Sequence, residues 1–226
     1  MYKILIYLYN FLPKSLRKYI TKKTTYYLVN KYADLKIKGI ENIPDNEPVI
    51  FIGNHLSNLD GLLLSKLFEE RNKKVLFLAG VKLKGEAITR AVLEIVPHIE
   101  IEPNKPDRKA LKNAIKALKD GYSILIFPEG TRSRNGEMLK GRSGVYLIAK
   151  MAGAKIIPVA ITGTEKCLPV ESSGKMSKES FIHSEVLVTF GKSFDLQDLP
   201  ESEEPVDEMM KKIAELLPFE YRGYYK

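Results

Sequence analysis

The sequence predicts an α/β layered domain with a mostly parallel central sheet flanked by helices, preceded by an N-terminal amphipathic two-helix arm. From residue 49 onward, short apolar runs alternate with helical segments, which is typical of a parallel sheet. The 226 residues, 44% of them hydrophobic, suit one globular domain. Basic residues concentrate in the first 38 positions. We therefore expect an arm over residues 1–38 and a globular domain over residues 39–226.

The formal net charge of +8 belongs to the arm. Residues 1–38 contain nine Lys or Arg and one acidic residue, Asp34, whereas the remainder contains 27 basic and 27 acidic residues. Eight of the 21 aromatic residues also lie there. Apolar residues recur at helical spacing over about 2–12 and again over 14–30, on either side of Pro13. We expect two helices whose apolar face binds an anionic membrane interface, with Lys and Arg on the opposite face.

Two alternatives for the arm stay open at this point. The helices could pack on the domain as a hairpin with a solvated basic face, or they could bind nucleic acid, although no groove-reading motif is visible. No run approaches the ~20 apolar residues that span a bilayer. Asn10 and Pro13 interrupt the first apolar stretch, and no small-residue cleavage site follows it, unlike in a signal peptide. We expect a monotopic, membrane-associated protein on the cytoplasmic face.

The cysteine and histidine content excludes some classes of site. The single Cys167 cannot form an intramolecular disulfide, which fits a reducing compartment. Three scattered histidines and one cysteine do not resemble a zinc site. We therefore expect no bound metal.

The strands of the domain follow from short apolar runs bounded by turn residues. The turn-rich segment 39–48 (GIENIPDNEP) separates the arm from the domain. Continuous apolar runs are typical of strands that are buried on both faces. Runs in which apolar and polar residues alternate are typical of strands that are buried on one face. Predicted strands cover residues 49–52, 75–79, 98–102, 123–127, 156–162 and 185–190.

The helices follow from apolar residues at three- and four-residue spacing. The segment Asp107–Lys119 places Leu111, Ala114 and Leu118 on one face, and Gly121 ends it. The last helix has a similar face with two methionines. Predicted helices in the domain cover residues 61–68, 107–119, 143–151 and 206–217.

The motif NHLSNLD directly follows the first predicted strand. In a single helix, five residues at about 100° each would place His55 and Asp60 on different faces. The spacing works if the helix begins between them, with Ser57 as N-cap and Asp60 at the third position, as in a capping box. A carboxylate that holds one imidazole nitrogen fixes the tautomer and makes the other nitrogen a general base. The alternative is a capping aspartate beside an ordinary loop histidine.

A base of this kind needs a hydroxyl to deprotonate. The chain has no G-x-S-x-G sequence, and Cys167 is distant, so the hydroxyl would arrive with the substrate. The stretch FPEGTRSR at 127–134 follows another predicted strand. Arg132 there can hold a phosphate through two charge-assisted hydrogen bonds, and Glu129 could orient Arg132 or accept a substrate hydroxyl. The alternative is a turn with a surface ion pair.

Together with IIPVAITGT at 156–164, these motifs resemble those of the glycerolipid acyltransferases, especially the 1-acylglycerol-3-phosphate acyltransferases. The resemblance covers about residues 45–165. It implies that His55 is the general base and that Asp60 orients it. It also implies that acyl-CoA or acyl carrier protein donates the acyl group, without an acyl-enzyme and without a further cofactor, to lysophosphatidic acid in an anionic membrane. The residues that would bind the acceptor are Glu129, Gly130, Thr131 and Arg132.

The sequence departs from the family pattern at two places. The family usually has an arginine after the short strand between the two motifs, where Pro103 stands here, so that Lys105 or Arg108 would replace it. The usual lysine after the second strand is shifted to Lys82 or Lys84. The acceptor therefore stays open between lysophosphatidic acid, glycerol 3-phosphate and another lysolipid. A non-catalytic lipid-binding protein and a hydrolase are further alternatives.

Overall fold

The computed structural model describes residues 11–80, 87–102, 107–171 and 178–226, and these residues form a seven-stranded sheet in the order β1-β7-β6-β2-β5-β3-β4. The five strands from β6 to β4 are parallel to one another. Strand β7 is antiparallel to β6, and β1 is parallel to β7. The predicted α/β fold with a mostly parallel sheet is confirmed. The strands are β1 Ala33–Lys38, β2 Ile50–Gly53, β3 Val75–Gly80, β4 His98–Ile101, β5 Ser123–Ile126, β6 Ile156–Thr162 and β7 Ser184–Phe190.

Helices cover both faces of the sheet because successive strand residues point to opposite sides. Val49 and Phe51 belong to the core shared with α1, α2 and α3, whereas Ile50 and Ile52 belong to the core shared with α4, α5 and α7. The described helices are α1 Lys14–Tyr32, α2 Leu59–Glu70, α3 Ala87–Ile95, α4 Arg108–Lys119, α5 Gly144–Ala152, α6 Thr164–Cys167 and α7 Pro205–Ala214. Short 3-10 turns lie at Ile40–Asn42, Leu196–Asp198, Phe219–Tyr221 and Gly223–Tyr225.

The path of the chain opens a crevice at the carboxyl ends of two neighbouring strands. After β2 the chain passes over the first face through α2, whereas after β5 it passes over the second face through α5. Strands β2 and β5 are adjacent, so their following loops diverge. Ligands of open α/β sheets bind at such points. Both sequence motifs begin there.

The predicted elements in the described residues are confirmed to within three residues at either end. The predicted helix over residues 2–12 lies almost entirely outside the described residues. Strand β1 and helices α3 and α6 were not predicted. Residues 33–38, which were predicted to belong to the arm, form the edge strand β1. The lysine-containing sequence ADLKIK suits an edge strand, because it pairs with β7 on one side and faces water on the other.

Helix α1 packs against the domain and presents an exposed outer face. Val29 is buried, and Lys22 and Tyr26 both contact the Glu69 carboxylate at the end of α2. The exposed side contains apolar, aromatic and basic residues together: Leu16, Tyr19, Ile20, Lys23, Tyr27 and Lys31. The expected separation of aromatic and basic residues onto opposite faces of α1 is therefore wrong. Among the described residues, no helix is long and apolar enough to cross a membrane.

Candidate active site

The carboxylate of Asp60 is the buried centre of the crevice. Its side chain has no exposed surface, and four groups are hydrogen-bonded to it. Oδ2 accepts from the backbone N–H groups of Leu56 at 2.7 Å and Ser57 at 2.9 Å, and it lies 2.7 Å from Nδ1 of His55. Oδ1 accepts from the Thr164 hydroxyl at 2.5 Å. These contacts compensate for burial of the negative charge.

The helix that carries Asp60 has its N-cap one residue later than predicted. Its first residue is Leu59 and its N-cap is Asn58, not Ser57. The Ser57 hydroxyl instead donates to the Leu168 carbonyl at 2.6 Å and accepts from Leu59 N at 3.2 Å. The tertiary contact uses the hydroxyl proton, whereas the Ser57 oxygen still accepts from the first helical turn and Ser57 N donates to Asp60. These bonds resemble the predicted capping box, except that Leu59 N takes the place of Asp60 N as the donor to Ser57.

The imidazole of His55 is held on two sides. Its Nδ1 contacts Asp60, and its ring stacks on Phe127 with centroids 4.1 Å apart and an interplanar angle of 8°. Gly53 gives the Phe127 ring room, because a Cβ at Gly53 would lie 3.3 Å from that ring. The side chain of His55 is 20% exposed. The Asp60 contact uses Nδ1, so Nε2 is the nitrogen left available to a substrate.

The third motif fixes the loop that carries His55. The buried amide of Asn54 donates to the Ile161 carbonyl and accepts from Ile161 N, both at 2.8 Å. Thr164, two residues beyond β6, reaches Asp60. The turn from the end of β6 to Thr164 needs a glycine at position 163, since a Cβ on Gly163 would lie 2.1 Å from Glu185 O. The roles of Asn54 and Thr164 were not predicted, although Asn54 lies in NHLSNLD and Thr164 in IIPVAITGT.

Glu129 connects the loop after β5 to the loop after β2. Only 2% of its surface is exposed. Oε1 accepts from His55 N at 2.9 Å, and Oε2 accepts from Leu139 N at 3.0 Å. A backbone bond from Ser133 N to His55 O, 2.7 Å long, joins the same two loops. The two oxygens of Glu129 therefore hold backbone groups, one at His55 and one at Leu139, instead of orienting Arg132.

The environment of Glu129 favours its neutral form. Burial raises the pKa of this carboxyl to about 7, and the negative charge of Asp60 adds to the rise. The hydrogen bonds from Leu139 N and His55 N act in the opposite direction. The charge of the Glu129 carboxyl therefore changes near neutral pH.

Arg132 is oriented by a residue that the sequence did not suggest. Its Nη1 lies 3.2 Å from Oε1 of Glu179, and the Asn58 amide nitrogen lies 2.8 Å from both Glu179 oxygens. The neighbouring Gly130 and Thr131 are exposed. Gly130 has φ +69°, and a Cβ there would lie 2.8 Å from Nε of Arg142. The motif therefore turns outward at Gly130 and presents a rim beside His55.

The segment Phe219–Lys226 holds the far end of the same loop. Met138 N donates to the Tyr221 carbonyl, and Tyr224 N donates to the Met138 carbonyl. The Tyr225 hydroxyl accepts from Gly141 N and donates to an Asp207 carboxylate oxygen, both at 2.8 Å. Because Leu139 contacts Glu129, this segment supports the site indirectly.

Four of the remaining predicted residues lie outside the described ranges, and one lies at the start of α4. Lys82, Lys84, Pro103 and Lys105 lie outside the described residues. Arg108 is exposed at the start of α4, where the Asp107 side chain accepts from Ala110 N. Within the described ranges, no group of three or more His, Cys, Asp or Glu is arranged to hold a metal ion.

Comparison with known proteins gives a family match. The acyltransferase family model matches residues 34–162. Arabidopsis thaliana chloroplastic 1-acyl-sn-glycerol-3-phosphate acyltransferase LPAT1 is 29% identical over 165 residues, which cover 71% of this chain and 45% of that protein. A probable 1-acyl-sn-glycerol-3-phosphate acyltransferase of Mycoplasma genitalium is 29% identical over 198 residues, covering 81% and 72%. The chain thus spans about half the length of the plant relatives it matches.

A solved structure shows the same fold. The 1-acyl-sn-glycerophosphate (LPA) acyltransferase PlsC from Thermotoga maritima superposes with a TM-score of 0.61 at 24% sequence identity. The superposition covers 95% of this chain and 84% of that one.

Ionisation of Glu129 should make stability depend on pH. Folding raises its pKa from the ordinary 4.5 to about 7, so the folded protein binds this proton more tightly than the unfolded chain does. Its contribution to stability is therefore fully present below 4.5 and is lost as the pH rises through about 7, with a slope of up to about 1.4 kcal/mol per pH unit. In urea titrations, the free energy of unfolding of the wild type relative to Glu129→Gln should fall across this window.

The matched control is Glu201→Gln, at an exposed carboxylate. The free energy of unfolding of this control relative to Glu129→Gln should fall across the same window, as that of the wild type does. A difference between the wild type and Glu129→Gln that stays constant or grows with rising pH would contradict the assignment.

Proposed function

This chain belongs to the acyltransferase family, and we propose that it transfers a fatty acyl group from a thioester to the free hydroxyl of 1-acylglycerol 3-phosphate, giving phosphatidic acid. The observation that carries the proposal is the imidazole of His55, held through Nδ1 by a fully buried Asp60, with Nε2 available beside a loop that carries Arg132. The names of the curated relatives support the choice of acceptor.

His55 acts as the general base in this mechanism. Nε2 removes the proton of the acceptor hydroxyl as the oxygen attacks the thioester carbonyl. The C–S bond then breaks, the new ester C–O bond remains, and the imidazolium returns its proton to the leaving thiolate. General base catalysis typically contributes about 10²–10⁴-fold in rate. The remainder comes from holding the two substrates together and stabilising the oxyanion.

Asp60 stabilises the imidazolium during this step. Its four hydrogen-bonding partners keep the carboxylate in place, so that little reorganisation accompanies the appearance of positive charge on His55. The stacked Phe127 ring keeps the imidazole plane fixed and covers one of its faces. Proton transfer therefore proceeds from a preset orientation.

The acceptor phosphate binds at the outward loop after β5. Arg132 offers several N–H donors in a planar fork, which suits a phosphate. Exposed Gly130 and Thr131 line the rim beside it, and Glu129 fixes the loop below. Lys105 and Lys82 complete the acceptor site in this proposal. The donor is acyl-CoA or acyl carrier protein, and no further cofactor takes part.

The enzyme works at an anionic membrane surface on the cytoplasmic side. Support comes from the arm, which holds the whole net charge of +8. On α1, Tyr19 and Tyr27 are 59% and 61% exposed, with Lys23 and Lys31 stacked over their rings. Aromatic rings and cations on one exposed face suit the headgroup region of a bilayer. Its acceptor and product would both reside in that bilayer.

A thiol-release assay tests the proposed reaction. With palmitoyl-CoA, the wild type should release thiol only when 1-acylglycerol 3-phosphate is present, and mass spectrometry should identify phosphatidic acid. His55→Ala should lower the rate by at least ~100-fold because the general base is lost. Its thermal midpoint should change little. The control His183→Ala removes an exposed histidine and should retain the wild-type rate.

The other outcomes of this assay point to other functions. Thiol release without an acceptor would indicate a hydrolase. A faster reaction with glycerol 3-phosphate or another lysolipid would reassign the acceptor. No release with any acceptor, from either palmitoyl-CoA or palmitoyl-acyl carrier protein, would favour a non-catalytic lipid-binding protein. Near-normal turnover of His55→Ala would remove His55 from the mechanism.

The outer face of α1 can be tested by vesicle sedimentation. Lys23→Gln with Lys31→Gln removes two positive charges worth about 1 kcal/mol each near an anionic surface, so binding to phosphatidylglycerol vesicles should weaken by roughly 30-fold. The effect should shrink at high salt. The control is Lys119→Gln with Lys150→Gln, two exposed lysines on helices of the opposite sheet face. Equal loss of binding in both pairs would show that α1 contributes only general charge.

A further inference from the structure

Glu179 is a buried carboxylate in an otherwise exposed segment. The described part of the connection between α6 and β7 includes Lys178, Ser180 and Ile182, all of them exposed. The Glu179 side chain, in contrast, is only 1% exposed. An unpaired carboxylate would not be stable in such a position, so its partners indicate its purpose.

The partners of Glu179 come from both motifs of the active site. Asn58, which precedes the helix carrying Asp60, contacts both carboxylate oxygens at 2.8 Å. Arg132, from the loop after β5, contacts Oε1 at 3.2 Å. Glu179 therefore joins the proposed acceptor-binding loop to the loop of the catalytic pair. Burial of its charge is compensated by one cation and an amide.

Two contacts of the residues that follow Glu179 hold the segment that carries it. Phe181 stacks on Tyr32 at the end of α1, with ring centroids 5.5 Å apart. Ile182 N donates at 2.8 Å to the carbonyl of Cys167, the last residue of α6. The segment that carries Glu179 is thus anchored to two separate elements of the fold, and Arg132 contacts a carboxylate on this anchored segment.

Donors of the Arg132 guanidinium remain for a ligand. An arginine carries five N–H donors, and within the described residues its hydrogen bond to Glu179 involves Nη1. The Arg132 side chain is 19% exposed, so the guanidinium is open to solvent on part of its surface. An arginine already held in one orientation binds an anion without losing further side-chain freedom, which corresponds to about threefold to tenfold in affinity.

We propose that Glu179 is a positioning residue that sets acceptor specificity by holding Arg132 in the orientation that binds a phosphate monoester. The inference rests on the proposed function, because it assigns the acceptor phosphate to Arg132. Its consequence is a preference for acceptors with a terminal phosphate over those in which the phosphate is a diester. A diester offers fewer unsubstituted oxygens to the guanidinium fork.

The direction in which acceptor affinity changes when Glu179 is replaced distinguishes positioning from an opposing electrostatic effect. A carboxylate near a bound phosphate repels it, so Glu179 could also weaken acceptor binding or occupy the place of the phosphate. Removing its charge would then tighten binding. If Glu179 positions Arg132, the same change weakens binding.

The test is Glu179→Gln, which keeps the side-chain length and one oxygen that can accept from Asn58. The KM for 1-acylglycerol 3-phosphate should rise about threefold to tenfold, while kcat and the KM for acyl-CoA stay within about twofold. The ratio of kcat/KM for monoester over diester acceptors should fall. The control is Glu185→Gln, at an exposed ion pair with Lys36, and it should change none of these. Thermal melts establish that both variants fold.

A double-mutant cycle separates positioning from a general structural effect. In the Arg132→Lys background, Glu179→Gln should have less than about twofold further effect if it acts through the guanidinium. Additive effects, an unchanged or lower KM for the acceptor, or a change confined to kcat or to the donor KM would overturn the proposal. If Glu179→Gln does not fold, Glu179→Asp, which keeps the charge but withdraws it from Arg132, should raise the acceptor KM in the same way.

Calorimetry distinguishes failure of this inference from failure of the proposed function. The titrant is a soluble short-chain 1-acylglycerol 3-phosphate, whose binding needs no turnover. Weaker binding by Glu179→Gln supports the positioning role even if the wild type shows no acyl transfer. Equal binding by the wild type and the variant rejects it, whether or not the enzyme is active.

Discussion

The hydrogen bond between His55 and Asp60 is the interaction on which the site depends. It requires a negative charge with no solvent contact, and the fold supplies that charge with two backbone N–H groups and the Thr164 hydroxyl in addition to the imidazole. Asp60 also lies in the first turn of the twelve-residue helix α2, where the helix dipole favours a negative charge. Loss of any of these groups would leave the carboxylate less well compensated and the imidazole less well oriented.

The sheet explains why these groups meet. Strands β2, β5 and β6 are neighbours and parallel, so their carboxyl ends lie at one edge although they are far apart in sequence. At this edge the residues of the motifs divide into two kinds. Asn54, Asp60, Glu129 and Ser133 are buried and hold backbone or side chains in place, whereas Gly130 and Thr131 are exposed. Much of each motif therefore builds the site, and only a few of its residues can meet a substrate.

The sequence predicts the fold well where the structure of an element depends on the pattern of its own residues. Continuous apolar runs identified the central strands, and the spacing of apolar residues identified α4 and α7. Strand β1 was missed because its stability comes from pairing with β7, which a lysine-rich segment does not reveal. The need for a loop before Asp60 followed from helical geometry, whereas the contact between Ser57 and Leu168, 111 positions apart, is not visible in the local sequence. The role of Glu179 could not be predicted, because its partners Asn58 and Arg132 are 121 and 47 positions away from it in the sequence.

The tautomer of His55 tests the central claim most directly. Replacing His98 and His183 by glutamine leaves one histidine, because the chain has three. Nitrogen-15 NMR of the labelled protein then reports which ring nitrogen carries the proton in the neutral imidazole. We expect a proton on Nδ1, facing Asp60, with Nε2 unprotonated, and loss of this preference in Asp60→Asn. A proton on Nε2, or the same tautomer after Asp60→Asn, would contradict it.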